Sequence, residues 1–194
     1  MKLSWACFSV TPILLSSEDD TTCFKGQAMT QPEVPPTSET VPRFLVDRML
    51  GRLAKWLRIL GYDSAYFPQL SPQGLMREGR RQGRIIVTRD TRFLRQKNTP
   101  PFVFIRDDRF RDQLRQMVAA CQLDLLSHLL TRCSDCNCLL ERISKEQVQD
   151  RVPEYVWQTQ ATFFRCPQCH RIYWGATHKE RIIDELRRLG IDRT

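Results

Sequence analysis

An α/β fold with a largely parallel sheet, followed by a small metal-stapled module, is what this 194-residue chain predicts. Three observations carry that expectation. From Arg43 onward, short apolar runs alternate with amphipathic segments of helix length, the pattern of units whose strands lie parallel. Two of the runs are followed directly by acid-bearing segments, Asp47 after the first and Thr88-Arg89-Asp90 after the third. Further on, Cys133-Ser134-Asp135-Cys136 and Cys166-Pro167-Gln168-Cys169 place two CxxC pairs in a stretch with no obvious core of its own.

Taken in order, residues 1–42 mix Ser, Thr, Pro, Glu and Asp without a sustained hydrophobic period and end near Gln31-Pro32-Glu33-Val34-Pro35-Pro36-Thr37. That composition predicts a disordered tail. Pro12 interrupts the apolar stretch after Met1, and the positive region is the single Lys2. A leader without structure, or an extension ahead of a start at Met29, therefore fits better than a secretion signal.

Strands are expected at 44–46, 64–67, 85–88 and 102–105, with helices over 48–60, 72–82 and 110–121. At roughly 100° per residue, Met49, Leu50, Leu53, Trp56, Leu57 and Leu60 share one side of the first helix, and Arg48, Arg52, Lys55 and Arg58 share the other. Gly61 follows where a left-handed cap is wanted. Ser71-Pro72 opens the second helix as an N-cap with proline at the first helical position. The α/β unit is expected over 43–130, the metal-stapled module over 131–178 and a C-terminal helix over 179–194.

Charge and composition narrow the function. With 30 Lys and Arg against 22 Asp and Glu, the formal charge is +8, which favours a polyanionic partner, nucleic acid above all once the motifs are added. No apolar run approaches the ~20 residues of a spanning helix, so no membrane segment is expected. Eight cysteines are too sparse for a disulfide scaffold. Their pairing points instead to metal binding in a reducing compartment, and the expected location is the cytoplasm. Oligomeric state is not legible.

Each CxxC can offer two thiolates on a tight turn, so Cys133, Cys136, Cys166 and Cys169 read as the ligands of one tetrahedral zinc. Redox or disulfide pairing is the alternative reading. Cys138 is spaced poorly for chelation, and His170 and His178 are weaker candidates. A site closed by four cysteines leaves no position for water, so this zinc is structural. Arg165, His170, Arg171, Tyr173 and Trp174 nearby could stack on bases or grip phosphates, or merely cover the knuckle.

Asp47 and Asp90 read as ligands of a hard cation, Mg²⁺ or Mn²⁺, because open α/β sheets bind ligands at the carboxyl ends of their strands and carboxylates suit those ions. Singly, either acid could be a helix cap or a turn residue. Asp108, beyond the fourth strand, is the expected third catalytic acid. Arg48, Arg52, Lys55, Arg58 and Arg89 are the expected phosphate contacts, since no acid at i+4 neutralises the helix face. Asp63 precedes its strand and is left out of the site.

In order, FLVDRMLGRLAKWLRILGYD, GRIIVTRD, TRCSDCNCLLERI and FRCPQCHRIYWGATH resemble the C-terminal RNase domain family of the Mut-seven exonuclease group, over roughly 43–178. The resemblance implies a PIN-like, Rossmann-like sheet with helices on both faces, a C-terminal zinc ribbon, and metal-dependent cleavage of RNA that leaves a 5′ phosphate. It matches Asp47 and Asp90 to the family's acidic site, and the four cysteines to its ribbon. One departure stands out: where relatives place acids after the second strand, this chain reads Gln69-Leu70-Ser71-Pro72-Gln73. Glu78 is the candidate replacement. The rival functions are a catalytically inactive RNA-binding or ribosome-associated adaptor on the same fold, and a zinc-ribbon regulator that binds DNA.

Overall fold

The computed structural model describes residues 41–191, with backbone alone for 176–178. The expected tail over 1–42 therefore falls almost wholly outside the described residues. Four parallel strands, β1 (Phe44–Val46), β2 (Ser64–Tyr66), β3 (Ile85–Thr88) and β4 (Phe102–Phe104), form a sheet in the order β2-β1-β3-β4. The chain leaves β1 to build β2 on one side and returns to build β3 on the other. The strand order thus reverses between β1 and β3, and a crevice opens there beyond the strands' carboxyl ends.

Strand alternation sorts the core into two layers. Phe44, Val46, Val87 and Val103 point into one cluster with Leu53, Ala54 and Leu57 of α1 (Gly51–Ile59) and Leu114 and Met117 of α4 (Phe110–Cys121). Leu45, Ala65, Ile86 and Phe102 point the opposite way, onto Leu75 and Met76 of α2 (Pro72–Gln82) and Phe93 of α3 (Arg92–Arg95). Both faces of the sheet are covered, which is why the strands are apolar throughout and not alternating. Each fully buried Val, Leu, Ile, Phe or Met among them contributes about 1.5–3 kcal/mol.

Helix ends follow the expected chemistry. Ser71 accepts a hydrogen bond from the Gly74 amide at 3.2 Å, with Pro72 at the first helical position. After α1, Gly61 adopts φ 92°, its amide bonds the Arg58 carbonyl and the Tyr62 amide bonds the Leu57 carbonyl, a Schellman closure. The first turn of the expected 48–60 helix is 3-10, over Arg48–Leu50. Gly51 leaves space for Tyr66, whose hydroxyl would lie 2.9 Å from a Cβ there.

The second part of the chain is a three-stranded antiparallel sheet, β5 (Glu141–Ile143), β6 (Phe163–Arg165) and β7 (Ile172–Trp174), with a 3-10 turn (Glu146–Arg151) and α5 (Glu154–Thr159) between its first two strands. α6 (Ala176–Arg188) then returns to the large sheet, where Leu186, Leu189 and Ile191 join the cluster that holds Phe44. Among the described residues, no helix is long and apolar enough to cross a membrane.

Candidate functional site

A cavity of about 570 Å³ opens at the β1/β3 crevice, lined by Asp47, Arg48 and Met49 after β1, Gln69 to Pro72 and Leu75 at the start of α2, and Arg89 to Arg92 after β3. Asp47 and Asp90 are its two acids, brought together from strands that pair Val46 with Val87. Asp47 is only 6% exposed. Its Oδ2 accepts a hydrogen bond from the buried Thr88 hydroxyl at 2.7 Å. Among the described residues no basic group lies within ion-pair distance of it.

Asp90 has a different environment. Its carboxylate faces the Arg92 guanidinium, and those hydrogen bonds hold its carboxyl below the ordinary aspartate range. Its amide donates to Thr88 Oγ1 at 3.0 Å. One threonine hydroxyl therefore links the side chain of the first acid to the backbone of the second. Thr88 and Arg92 are the residues that sequence reasoning missed. Thr88 sits inside the Thr-Arg-Asp run, but its role becomes visible only when β1 and β3 are neighbours.

The other expected site residues disperse. Asp108 is exposed, pairs with Arg89 and does not line the cavity. The expected third acid is therefore not brought into the cavity with Asp47 and Asp90. Glu78, the candidate replacement acid, does not line the cavity either and turns to Arg81 and Gln82 on its own helix. The wall where the resemblance leads one to expect acids is here Gln69, Leu70 and Ser71. Asp63 lies at the opposite end of the sheet, as expected, bound by Arg84 at 2.7 and 3.1 Å.

Of the five expected phosphate contacts, Arg48 and Arg89 line the cavity. Arg52 lies over the Phe110 ring, 4.3 Å from its centroid, and Lys55 is 3.1 Å from Asp135, both still exposed. Arg58 is the correction: it is 6% exposed. Its Nε donates to the Ser64 carbonyl at 2.9 Å, and Nη1 donates to the Ser134 and Asp135 carbonyls at 3.1 and 2.7 Å. What the helix wheel reads as part of a solvated face is covered by the first CxxC turn.

That turn belongs to a cluster of Cys133, Cys136, Cys166 and Cys169, whose sulfur atoms all lie within 4.8 Å of one another. The Cys133 and Cys169 sulfurs are 3.8 Å apart, the separation expected of ligands ~2.3 Å from a tetrahedral centre. The two knuckles repeat one geometry. Asn137 and His170 have φ 68° and 58°, and their amides bond the Cys133 and Cys166 carbonyls, each at 3.0 Å. Cys138 stays outside the set and bonds Gln168, while the Tyr173 hydroxyl sits 3.1 Å from Cys133 Sγ and so covers the knuckle. The donor set could hold a metal and fits a zinc ribbon.

No curated protein and no solved structure matched the chain. The Mut7-C RNAse domain family model matches residues 42–186, which takes in the parallel sheet, the cavity and the cysteine cluster together. With that match over most of its length, the chain belongs to the Mut7-C RNAse domain family.

Proposed function

We propose that this protein is a metal-dependent ribonuclease whose reaction takes place in the β1/β3 cavity. The observation that carries the reading is Asp47: a carboxylate 6% exposed, supported by one hydroxyl and, among the described residues, by no ion pair. A charge so placed is costly unless a cation from outside compensates it. Asp47 and Asp90 would hold Mg²⁺ or Mn²⁺. Such an ion, when bound, supplies Lewis-acid stabilisation of the charge that develops on a phosphodiester.

The chain's own residues supply the rest. Arg48 and Arg89 on the cavity wall bind phosphate oxygens and draw RNA over the acids, a contact that gives affinity and salt dependence without reading sequence. Thr88 fixes the direction of the Asp47 carboxylate. Hydrolysis adds the oxygen of water to phosphorus and releases the 3′ oxygen, leaving a 5′ phosphate. Zinc on the four cysteines has a structural role, because a closed four-thiolate site has no place for substrate.

Cleavage of single-stranded RNA in Mn²⁺ tests the reading. Wild-type protein should cut, and Asp47→Asn and Asp90→Asn should each fall by about a hundredfold or more; equal activity in all three would overturn it. A second reading, an RNA-binding or ribosome-associated adaptor, is favoured by the Gln69-Leu70-Ser71 wall, which leaves the cavity two acids. It predicts salt-sensitive RNA binding that survives both substitutions and no cleavage by any form.

A further inference from the structure

The carboxylate of Asp90 is already held. Arg92 Nε lies 2.9 and 2.8 Å from Oδ1 and Oδ2, Nη2 lies 2.5 Å from Oδ2, and the Arg92 amide lies 2.9 Å from Oδ1. A guanidinium laid on both oxygens takes the lone pairs a cation would use and repels that cation by its own charge. It is also the side chain best shaped for a phosphate.

The surroundings let Arg92 exchange partners without moving the backbone. Its side chain is 68% exposed and lines the cavity. Phe93, beside it on α3, is buried at 1% exposure and pins the helix, and Thr88 fixes the Asp90 amide. Only rotations of one exposed side chain are needed. Its charge would then move from Asp90 to an anion in the same cavity.

We propose that Arg92 is a guard on the cation site, holding Asp90 until an RNA phosphate draws the guanidinium away, so that cation and RNA bind cooperatively. The inference rests on the reading of Asp47 and Asp90 as cation ligands. Linkage makes the effect reciprocal: whatever factor RNA adds to cation affinity, the cation adds to RNA affinity. Arg92 is thus a positioning residue that couples two ligands.

The test is titration of the full, zinc-loaded chain with Mn²⁺, followed by the paramagnetic signal of the free ion. Wild type is compared with Arg92→Gln, Asp90→Asn and Arg95→Gln, the last removing the same charge from the same helix outside the cavity lining. Arg92→Gln should bind Mn²⁺ about tenfold more tightly than wild type, and Arg95→Gln should change affinity by less than about threefold. Adding a single-stranded DNA oligonucleotide as an uncleaved phosphate chain should tighten Mn²⁺ binding in wild type and much less in Arg92→Gln. Equal Mn²⁺ affinity of wild type and Arg92→Gln, with Asp90→Asn still weaker, would overturn the guard and leave the cation site standing. Absence of any binding that depends on Asp90 would overturn the cation site, and the guard with it.

Discussion

Thr88 Oγ1 donates a hydrogen bond to Asp47 Oδ2 over 2.7 Å inside the protein, and the same oxygen accepts one from the Asp90 amide over 3.0 Å. The pairing of Val46 with Val87 brings the ends of β1 and β3 into register, so that a hydroxyl from one strand meets an acid from the other. Thr88→Val keeps the shape and removes both bonds. A hydrogen bond to a charged group contributes about 1.5–3 kcal/mol, so RNA cleavage in Mn²⁺ should slow by roughly 10- to 100-fold. Thr88→Ser, which keeps the hydroxyl, should stay close to wild type. Equal rates for Thr88→Val and wild type would remove the threonine from the site.

The parallel sheet is legible in the sequence because Phe44-Leu45-Val46 and Ile85-Ile86-Val87 are short apolar runs bounded by polar residues, and the intervening helices have a clear apolar face. α3 is not legible, since a single turn has no period to read and is held by the burial of Phe93 and the hydrogen bond from the Arg92 amide to the Asp90 carboxylate. Arg58 shows the same limit from another side. A helix wheel sorts residues by angle, but it cannot say that the turn of Ser134 and Asp135, more than 70 residues away, covers the polar face. Pairing of the four cysteines was legible because ligand spacing is itself a local signal, whereas the short strands between them carry almost none.

Asp63 makes the protein's stability dependent on pH. Its burial works against the charged form, but hydrogen bonds from Arg84 and from Asn137 Nδ2 at 2.7 Å outweigh that and hold the carboxyl below its ordinary range. A depressed folded value means that the stabilisation is complete above the ordinary aspartate pKa of about 4 and is lost as pH falls through the lower folded value. Asp63→Asn should cost about 2–4 kcal/mol at neutral pH, because Arg84 keeps its burial and loses its partner. In urea titrations the gap from wild type should narrow as pH falls below about 4. A gap of equal size at pH 3 and pH 7 would contradict this account.

Metal removal should loosen the edge of the large sheet. The first knuckle reaches β2 through Arg58, which bonds the Ser134, Asp135 and Ser64 carbonyls, and through Asn137 Oδ1, which accepts from the Ser64 amide at 2.9 Å. β2 is an edge strand, so that amide depends on the knuckle and not on a neighbouring strand for its partner. Chelation should speed hydrogen exchange at the Ser64 amide by about tenfold or more, while the Ile86 amide in central β3 keeps its protection. Unchanged exchange at Ser64 after the metal is stripped would show that the knuckle holds its shape without it.

Gly61 should be among the least replaceable positions in the chain. At φ 92° it closes α1, and a Cβ there would lie 2.0 Å from the His128 carbonyl oxygen, because the segment leading to the first knuckle crosses directly over the helix end. That crossing is held on both sides: the Leu130 amide bonds the Ile59 carbonyl at 2.8 Å, and Arg132 Nε bonds the Gly61 carbonyl at 3.1 Å. Gly83 offers the comparison, with φ 60° but nothing nearer to its Cβ position than Arg43 Nη2 at 3.8 Å. Alanine at Gly83 meets the left-handed backbone alone, about 1–2 kcal/mol. Alanine at Gly61 meets that and a backbone collision, and should cost about 3–5 kcal/mol in urea unfolding. A cost no greater than that of Gly83→Ala would mean that the segment around His128 gives way freely, and that the path from α1 to the knuckle is looser than its hydrogen bonds indicate.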